Sequence, residues 1–268
     1  MLPVRSLILA AAFGLAAAAG AEERPNPMQP SETWEAIAPG VIGEAETIDG
    51  EDLLAIEAPF RAHDAAIVPV RITQKEGTPR ITRLTLVVDE NPAPVAAEFT
   101  LGEAMHPLAL ETRLRVNAYS NVRVIAETED GALHMAGRFV RASGGCAAPA
   151  MKDAEEAMAS LGETRVRWFD ETPAASGMQR EVQVMFRHPN YSGLQRDQIT
   201  HLFIPAHFVD EVEVRQGDEI LFSMTGGISL SEDPSFRFRY ADDGTGGLKV
   251  TASDTEGNTF GGDFTAGM

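Results

Sequence analysis

Cys146 is the single cysteine in a chain of 268 residues, and it lies in Arg141-Ala-Ser-Gly-Gly-Cys-Ala-Ala-Pro-Ala150. Gly144 and Gly145 remove side chains and widen the allowed backbone. Ala147 and Ala148 add little bulk, and Pro149 keeps regular structure from running back to the cysteine. These neighbours predict an accessible thiol. A lone thiol cannot close an internal disulfide, and in a secreted chain it points to a reactive or intermolecular role. The competing reading, a small hydrophobe packed in a core, calls for apolar neighbours at strand or helix spacing, which Ser143 to Pro149 do not supply. The nucleophile would be the thiolate. A free thiol titrates near ~8.5, so only a few per cent is ionised at neutral pH unless a cation helps. Arg141 is the nearest cation in sequence, and His134 or His188 could serve as the base of a Cys–His pair.

Other site chemistries are poorly supported. A blue-copper loop needs a histidine between its cysteine and methionine, and none lies between Cys146 and Met151. His201 and His207 flank Pro205, whose bend separates them, so both are read as satisfied or surface histidines. There is no phosphate loop, no CxxC and no specific metal-ligand spacing. No catalytic residues, no metal and no cofactor are predicted.

The elements that must position Cys146 are strands. Ile67–Ile72 and Ile81–Val88 are rich in β-branched residues, and Asn91-Pro-Ala-Pro94 makes a stiff connection. Leu110, Thr112, Leu114 and Val116 alternate with Glu111, Arg113 and Arg115, the pattern of a strand with one buried face. Val122–Ala126 runs to Asp130-Gly131, a hairpin signal, and the return strand Leu133–Val140 leads to the cysteine. A second β-block starts at Glu181, with Val182, Val184 and Phe186 on one face. It has turns at Gln216-Gly217-Asp218 and Glu256-Gly257-Asn258, and Phe236, Phe238 and Tyr240 alternate with arginines. The chain therefore divides into an arm (22–50), a first β-sandwich ending in the cysteine segment (51–146), a helix and linker (147–178) and a second β-sandwich (179–268). The expected fold is all-β: two immunoglobulin-like sandwich domains joined by a short helix and linker. Helix is expected over 31–38, capped by Ser31, and over 151–161. Trp34 and Ile37 should pin the arm. Met151, Ala154, Met158 and Leu161 should form a docking stripe.

Residues 1–21 read as a signal peptide: Arg5, an apolar run too short to span a bilayer, and Ala19-Gly20-Ala21 before Glu22. The predicted location is the periplasm. With 22 Lys+Arg against 40 Asp+Glu the formal charge is −18, and loss of Arg5 with the leader makes it −19. Such a surface repels nucleic acid and anionic lipid and favours basic partners.

Val68-Pro69-Val70, Asn91–Phe99 and Gly144-Gly-Cys146 resemble the sulfur carrier subunit SoxY. His188-Pro-Asn-Tyr-Ser-Gly-Leu-Gln-Arg-Asp197 and Ser231–Phe238 resemble its partner SoxZ. Together they cover about residues 50–266, in the order of the pair, and the chain is similar to fused SoxYZ-like carriers associated with quinoprotein dehydrogenases. The resemblance implies a carrier rather than an enzyme, holding a sulfur species of thiosulfate oxidation covalently on Cys146, with Gly144 and Gly145 as the flank of the cysteine arm. It implies periplasmic redox enzymes as partners, a quinoprotein dehydrogenase or c-type cytochrome among them, and neither nucleic acid nor membrane. In SoxY a Gly-Gly-Cys-Gly-Gly arm ends the chain. Here the chain continues through Ala147-Ala148-Pro149, so the arm is held at both ends. The other functional class is a non-covalent accessory module for such a dehydrogenase or its cytochrome, with Cys146 incidental.

Overall fold

The computed structural model describes residues 25–149, 154–169 and 176–266. The segment read as a signal peptide lies outside them, as do the start of the second predicted helix and most of Pro173–Gly177. No helix among the described residues is long and apolar enough to cross a membrane.

The fold is all-β, with two short α-helices among the described residues. The first half carries β1 (Thr47–Asp49), β2 (Leu54–Glu57), β3 (Val68–Gln74), β4 (Ile81–Val88), β5 (Val95–Leu101), β6 (Ala109–Leu114), β7 (Ser120–Thr128) and β8 (Leu133–Val140). The second carries β9 (Thr164–Trp168), β10 (Gln179–Phe186), β11 (Val209–Gln216), β12 (Glu219–Gly226), β13 (Ser235–Ala241), β14 (Gly247–Asp254) and β15 (Thr259–Thr265). Alternation holds within β6, where Leu110, Thr112 and Leu114 are buried while Glu111 and Arg113 are not, and fails just beyond it at Arg115, which is buried. The hairpin between β7 and β8 turns through Gly131 at φ 83°, a left-handed conformation that glycine adopts without a Cβ penalty.

The two sandwich halves share both sheets. One sheet has nine strands in the order β1-β8-β7-β4-β5-β12-β11-β14-β15, and the other six in the order β2-β3-β6-β13-β10-β9. The halves meet where β5 pairs antiparallel with β12, Leu101 opposite Phe222 and Phe99 opposite Met224. They meet again where β6 pairs with β13, Leu110 opposite Phe238. The expected all-β arrangement in two halves is present, and to the helix and linker expected between them the fold adds these two strand pairings. Each half would otherwise leave a row of open N–H and C=O groups, and pairing across the seam satisfies them. The apolar interiors merge accordingly: Phe99 of the first half lies 5.8 Å from Phe222 and 6.0 Å from Phe236 of the second, ring centre to ring centre.

The join also differs from its sequence reading. β9 lies within the stretch read as linker and pairs antiparallel with β10, Val166 opposite Val184, as an edge strand of the second half. The described part of the second helix, α2, is Ala154–Ala159; there Ala157 is buried and Met158 is exposed, while Met151 of the expected stripe lies outside the described residues. The other helix, α1 (Glu32–Ile42), begins as predicted with Ser31 Oγ accepting the Trp34 N–H at 3.0 Å. Trp34 packs over the Arg123 guanidinium at 4.6 Å, and Arg123 is itself held by Asp89 at 2.7 Å. The arm before the helix is tied by Asn26, which donates to the carbonyls of Ala58 (2.9 Å) and Phe139 (3.1 Å).

Candidate functional site

Cys146 follows β8 by a short run. Arg141 bridges to Arg61, Ala142 is buried, and Gly145–Ala147 then make a single 3-10 turn. The two glycines do different work. Gly144 has φ 80°, and an added Cβ would meet nothing, so its role is conformational. Gly145 lies against backbone: an added Cβ would sit 2.6 Å from Ala65 C, 2.7 Å from Val116 O and closer still to the Ala65 oxygen. That contact is with this chain's own backbone rather than a partner's. The Gly145 N–H donates to Val116 O at 3.1 Å and the Gly144 N–H to Asn117 O at 2.8 Å.

The thiol is fully buried, with no exposed surface, which corrects the expectation of an accessible cysteine. Small neighbours permit close packing as readily as exposure, and here the second half closes over the segment. Ser192 Oγ donates to Cys146 O, and Gln195 Nε2 donates to Ala148 O at 2.9 Å. Both belong to the stretch from His188 to Asp197 that the sequence set apart. From the first half Arg115, also buried, reaches between the halves: Nη1 to Gly145 O (3.3 Å), Nη2 to Asn190 O (3.1 Å) and Nε to Leu230 O (3.2 Å). Asn91 ties the same junction, donating to Arg115 O at 2.7 Å and Ser229 Oγ at 2.8 Å while accepting the Asn117 N–H at 2.8 Å. Burial pushes the Cys146 thiol up to about 11, and the Arg115 charge opposes that rise.

Two assignments made from sequence change. The cation acting on Cys146 is Arg115, whereas the Arg141 guanidinium lies over Phe60 (4.9 Å) and Tyr119 (5.8 Å). Arg115 was read as part of an exposed face; alternation identifies the face but not that the second half covers it. Nor is His188 free to act as a base. Its Nδ1 accepts the Asn190 N–H at 3.0 Å and its Nε2 faces Asp254 Oδ2 at 3.3 Å. His134 sits in the β1 and β7 ladders, near the end of β8 remote from the cysteine segment.

His188, His207 and Asp254 form a buried cluster whose facing atoms lie within 4.8 Å of one another, a spacing that could suit a metal ion. The hydrogen bonds oppose that use. With Nδ1 of His188 accepting from a backbone N–H, the neutral ring carries its proton on Nε2, the atom a metal would need bare. Asp254 is also saturated: Oδ2 faces both histidines and Asn258 Nδ2, and Oδ1 accepts the N–H groups of Glu256 and Asn258. The cluster is an anchor, fixing both ends of the 188–207 loop to the turn after β14. His201, by contrast, is exposed, so the two histidines were correctly separated.

Burial, reinforced by the neighbouring His207, pushes the His188 imidazole down to about 4. Burial raises Asp254, but Asn258, His207 and two backbone N–H groups outweigh it and hold the carboxyl well below its usual range. A histidine neutral when folded and protonated below ~6.5 when unfolded contributes stability that is complete above ~6.5 and is lost as the pH falls toward about 4. The Asp254 contribution is lost only below the usual carboxylate range. Unfolding followed from pH 7.5 to 4.5 should therefore show a loss of ~1–3 kcal/mol that His188→Gln largely removes; an equal slope in both proteins would contradict this assignment.

Two family models match the chain. Residues 39–146 match the sulfur oxidation protein SoxY, and residues 166–265 match the sulphur oxidation protein SoxZ. A SoxY match followed by a SoxZ match is the arrangement of a fused SoxYZ-like protein. The SoxY match ends on Cys146, the residue that the SoxZ half covers. No curated protein matches the chain. Solved structures that resemble it include a glycosyl hydrolase family 2 member from Bacteroides cellulosilyticus DSM 14838 (9% identity, TM-score 0.24, 76% of this chain and 25% of that one). A beta-glycosidase from Bacteroides vulgatus is similar at 7% identity and TM-score 0.25, over 80% of this chain and 24% of that one. The chain spans about a quarter of the length of these structures. The Sox family is one of sulfur-oxidation carriers, typically periplasmic, that act with sulfur-oxidation enzymes.

Proposed function

We propose that this SoxY–SoxZ fusion is a periplasmic carrier that holds a sulfur species, or another small adduct, covalently on Cys146 and presents it to periplasmic redox enzymes. A quinoprotein dehydrogenase or a c-type cytochrome is the partner the sequence resemblance favours. The observation that carries the reading is the seat. The cysteine that closes the SoxY match is gripped through backbone carbonyls by Ser192 and Gln195 of the SoxZ half and by Arg115. Those contacts hold main chain, and among the described residues no hydrogen bond engages the sulfur.

Burial makes this a resting state. Five hydrogen bonds hold the segment, three from Ser192, Gln195 and Arg115 and two donated by Gly144 and Gly145, and at ~0.5–1.5 kcal/mol each they give an opening cost of about 3–7 kcal/mol, hence an open fraction on the order of 10⁻² to 10⁻⁵. Such a segment is protected from adventitious oxidation yet can be reached by an enzyme that captures its open form. The second reading, a non-covalent accessory module, is favoured by the same burial and by the raised thiol. Cys146→Ser separates the two in vivo. The serine variant should be folded and present at normal abundance yet lose the oxidation phenotype; full complementation would leave the accessory module.

A further inference from the structure

Arg115 differs from the other fully buried arginines. Arg180 meets Asp242 at 3.1 Å, and the nearly buried Arg123 meets Asp89 at 2.7 Å. Arg115 is 1% exposed, and its side-chain hydrogen bonds all go to neutral backbone carbonyls, those of Gly145, Asn190 and Leu230. Among the described residues no carboxylate comes within ion-pair distance of it, and Glu232 and Asp64 act on it only from farther away. Taking a cation out of water costs several kcal/mol when no anion meets it, and three carbonyls supply dipoles but no charge. A guanidinium has five N–H groups, so donors remain beyond the three engaged. The uncompensated charge lies against the carbonyl that precedes Cys146.

We propose that Arg115 is the positioning residue of the carrier site: its guanidinium is the counter-charge of the Cys146 thiolate and of an anionic group carried on the sulfur, so the seated arm selects anionic cargo. This rests on the carrier reading. A sulfur bearing a sulfonate adds one negative charge beside a buried cation, and seating it neutralises the pair. A neutral adduct leaves the cation uncompensated, and a cationic one adds repulsion in a medium that screens poorly.

Three adducts of similar size, made in vitro on the full chain, test this. Tetrathionate gives the anionic form: the thiolate attacks an inner sulfur, a Cys146 Sγ–S bond forms, and the central S–S bond breaks to release thiosulfate. Cys146 then carries –S–SO₃⁻, its sulfur oxidised as half of the tetrathionate is reduced. Hydroxyethyl and aminoethyl methanethiosulfonates transfer neutral –S–CH₂CH₂OH and cationic –S–CH₂CH₂NH₃⁺, each releasing methanesulfinate as its S–S bond breaks. With loading verified by mass, the anionic adduct should melt at least ~2 °C above the neutral one and the cationic adduct lowest. Arg115→Gln should abolish that order and Arg115→Lys should keep it, whereas a merely structural arginine would not sort adducts by charge. A neutral adduct as stable as the anionic one in the wild-type chain, or the same order in Arg115→Gln, overturns the proposal. The wild-type order is measured on the native chain and decides the matter should Arg115→Gln not fold. Because loading is done in vitro, failure here is distinct from failure of the carrier reading, which an unmodified thiol in cells would bring about.

Discussion

Replacing Gly145 by alanine is expected to unseat the cysteine segment and raise the reactivity of Cys146 about 100-fold. The added Cβ would collide with the Ala65 and Val116 main chain, which is held in place by the Val116 N–H to Ala65 O bond at 2.8 Å. Backbone cannot yield as a flexible side chain would, so the 3-10 turn must move. Once out of its seat, the thiol falls from about 11 toward the ~8.5 of a free thiol, and the thiolate fraction at pH 7–8 rises at least about 100-fold. Steric release adds to that. Gly144→Ala is the matched control: its Cβ meets nothing, and the left-handed backbone alone costs about 1 kcal/mol. Alkylation by iodoacetamide at pH 8, followed by mass, should rank Gly145→Ala far above Gly144→Ala and the wild type. Equal rates in all three would mean that the segment is not seated as described.

Phe236→Ala should cost about 3–5 kcal/mol and lower the melting temperature by on the order of 10 °C. Its ring sits 6.0 Å from Phe99, 6.1 Å from Phe222 and 6.5 Å from Phe186, at the place where both halves contribute to one interior. The two shared sheets make a stronger demand, that the wild-type chain unfolds in one cooperative step and that Phe236→Ala shifts the whole of it. Calorimetry resolving two transitions, only one of them moved by the substitution, would show the halves to be independent domains.

What the sequence disclosed and what it hid follow from the range of each signal. Period-two alternation is local, so β6, β10 and β13 were legible residue by residue, and so were the hairpins marked by Asp130-Gly131 and Gly257. The pairing of β5 with β12 and of β6 with β13 is made by backbone groups that every residue carries, so no side-chain pattern announces it. Arg115 was misjudged for a related reason: alternation places it outward from its own half, and the outward side is where the other half packs. The run of small residues around Cys146 is ambiguous by nature, since lack of bulk exposes a thiol on a free arm and buries it in a tight seat. The pairing of His188 with His207 was not legible, because their shared anchor, Asp254, lies 66 and 47 residues away along the chain. The family resemblance, carried by ordered motifs, survived these errors because it depends on residue identity rather than on exposure.

The central claim is that Cys146 is the attachment point of a carried group, and intact mass tests it most directly. Protein taken straight from cells, with thiols blocked at lysis, should weigh more than its unmodified polypeptide by a discrete adduct. A reductant should remove that mass, and Cys146→Ser should never show it. A native chain whose mass equals that of the unmodified polypeptide, with a thiol that stays inert under the conditions in which its pathway operates, would contradict the account.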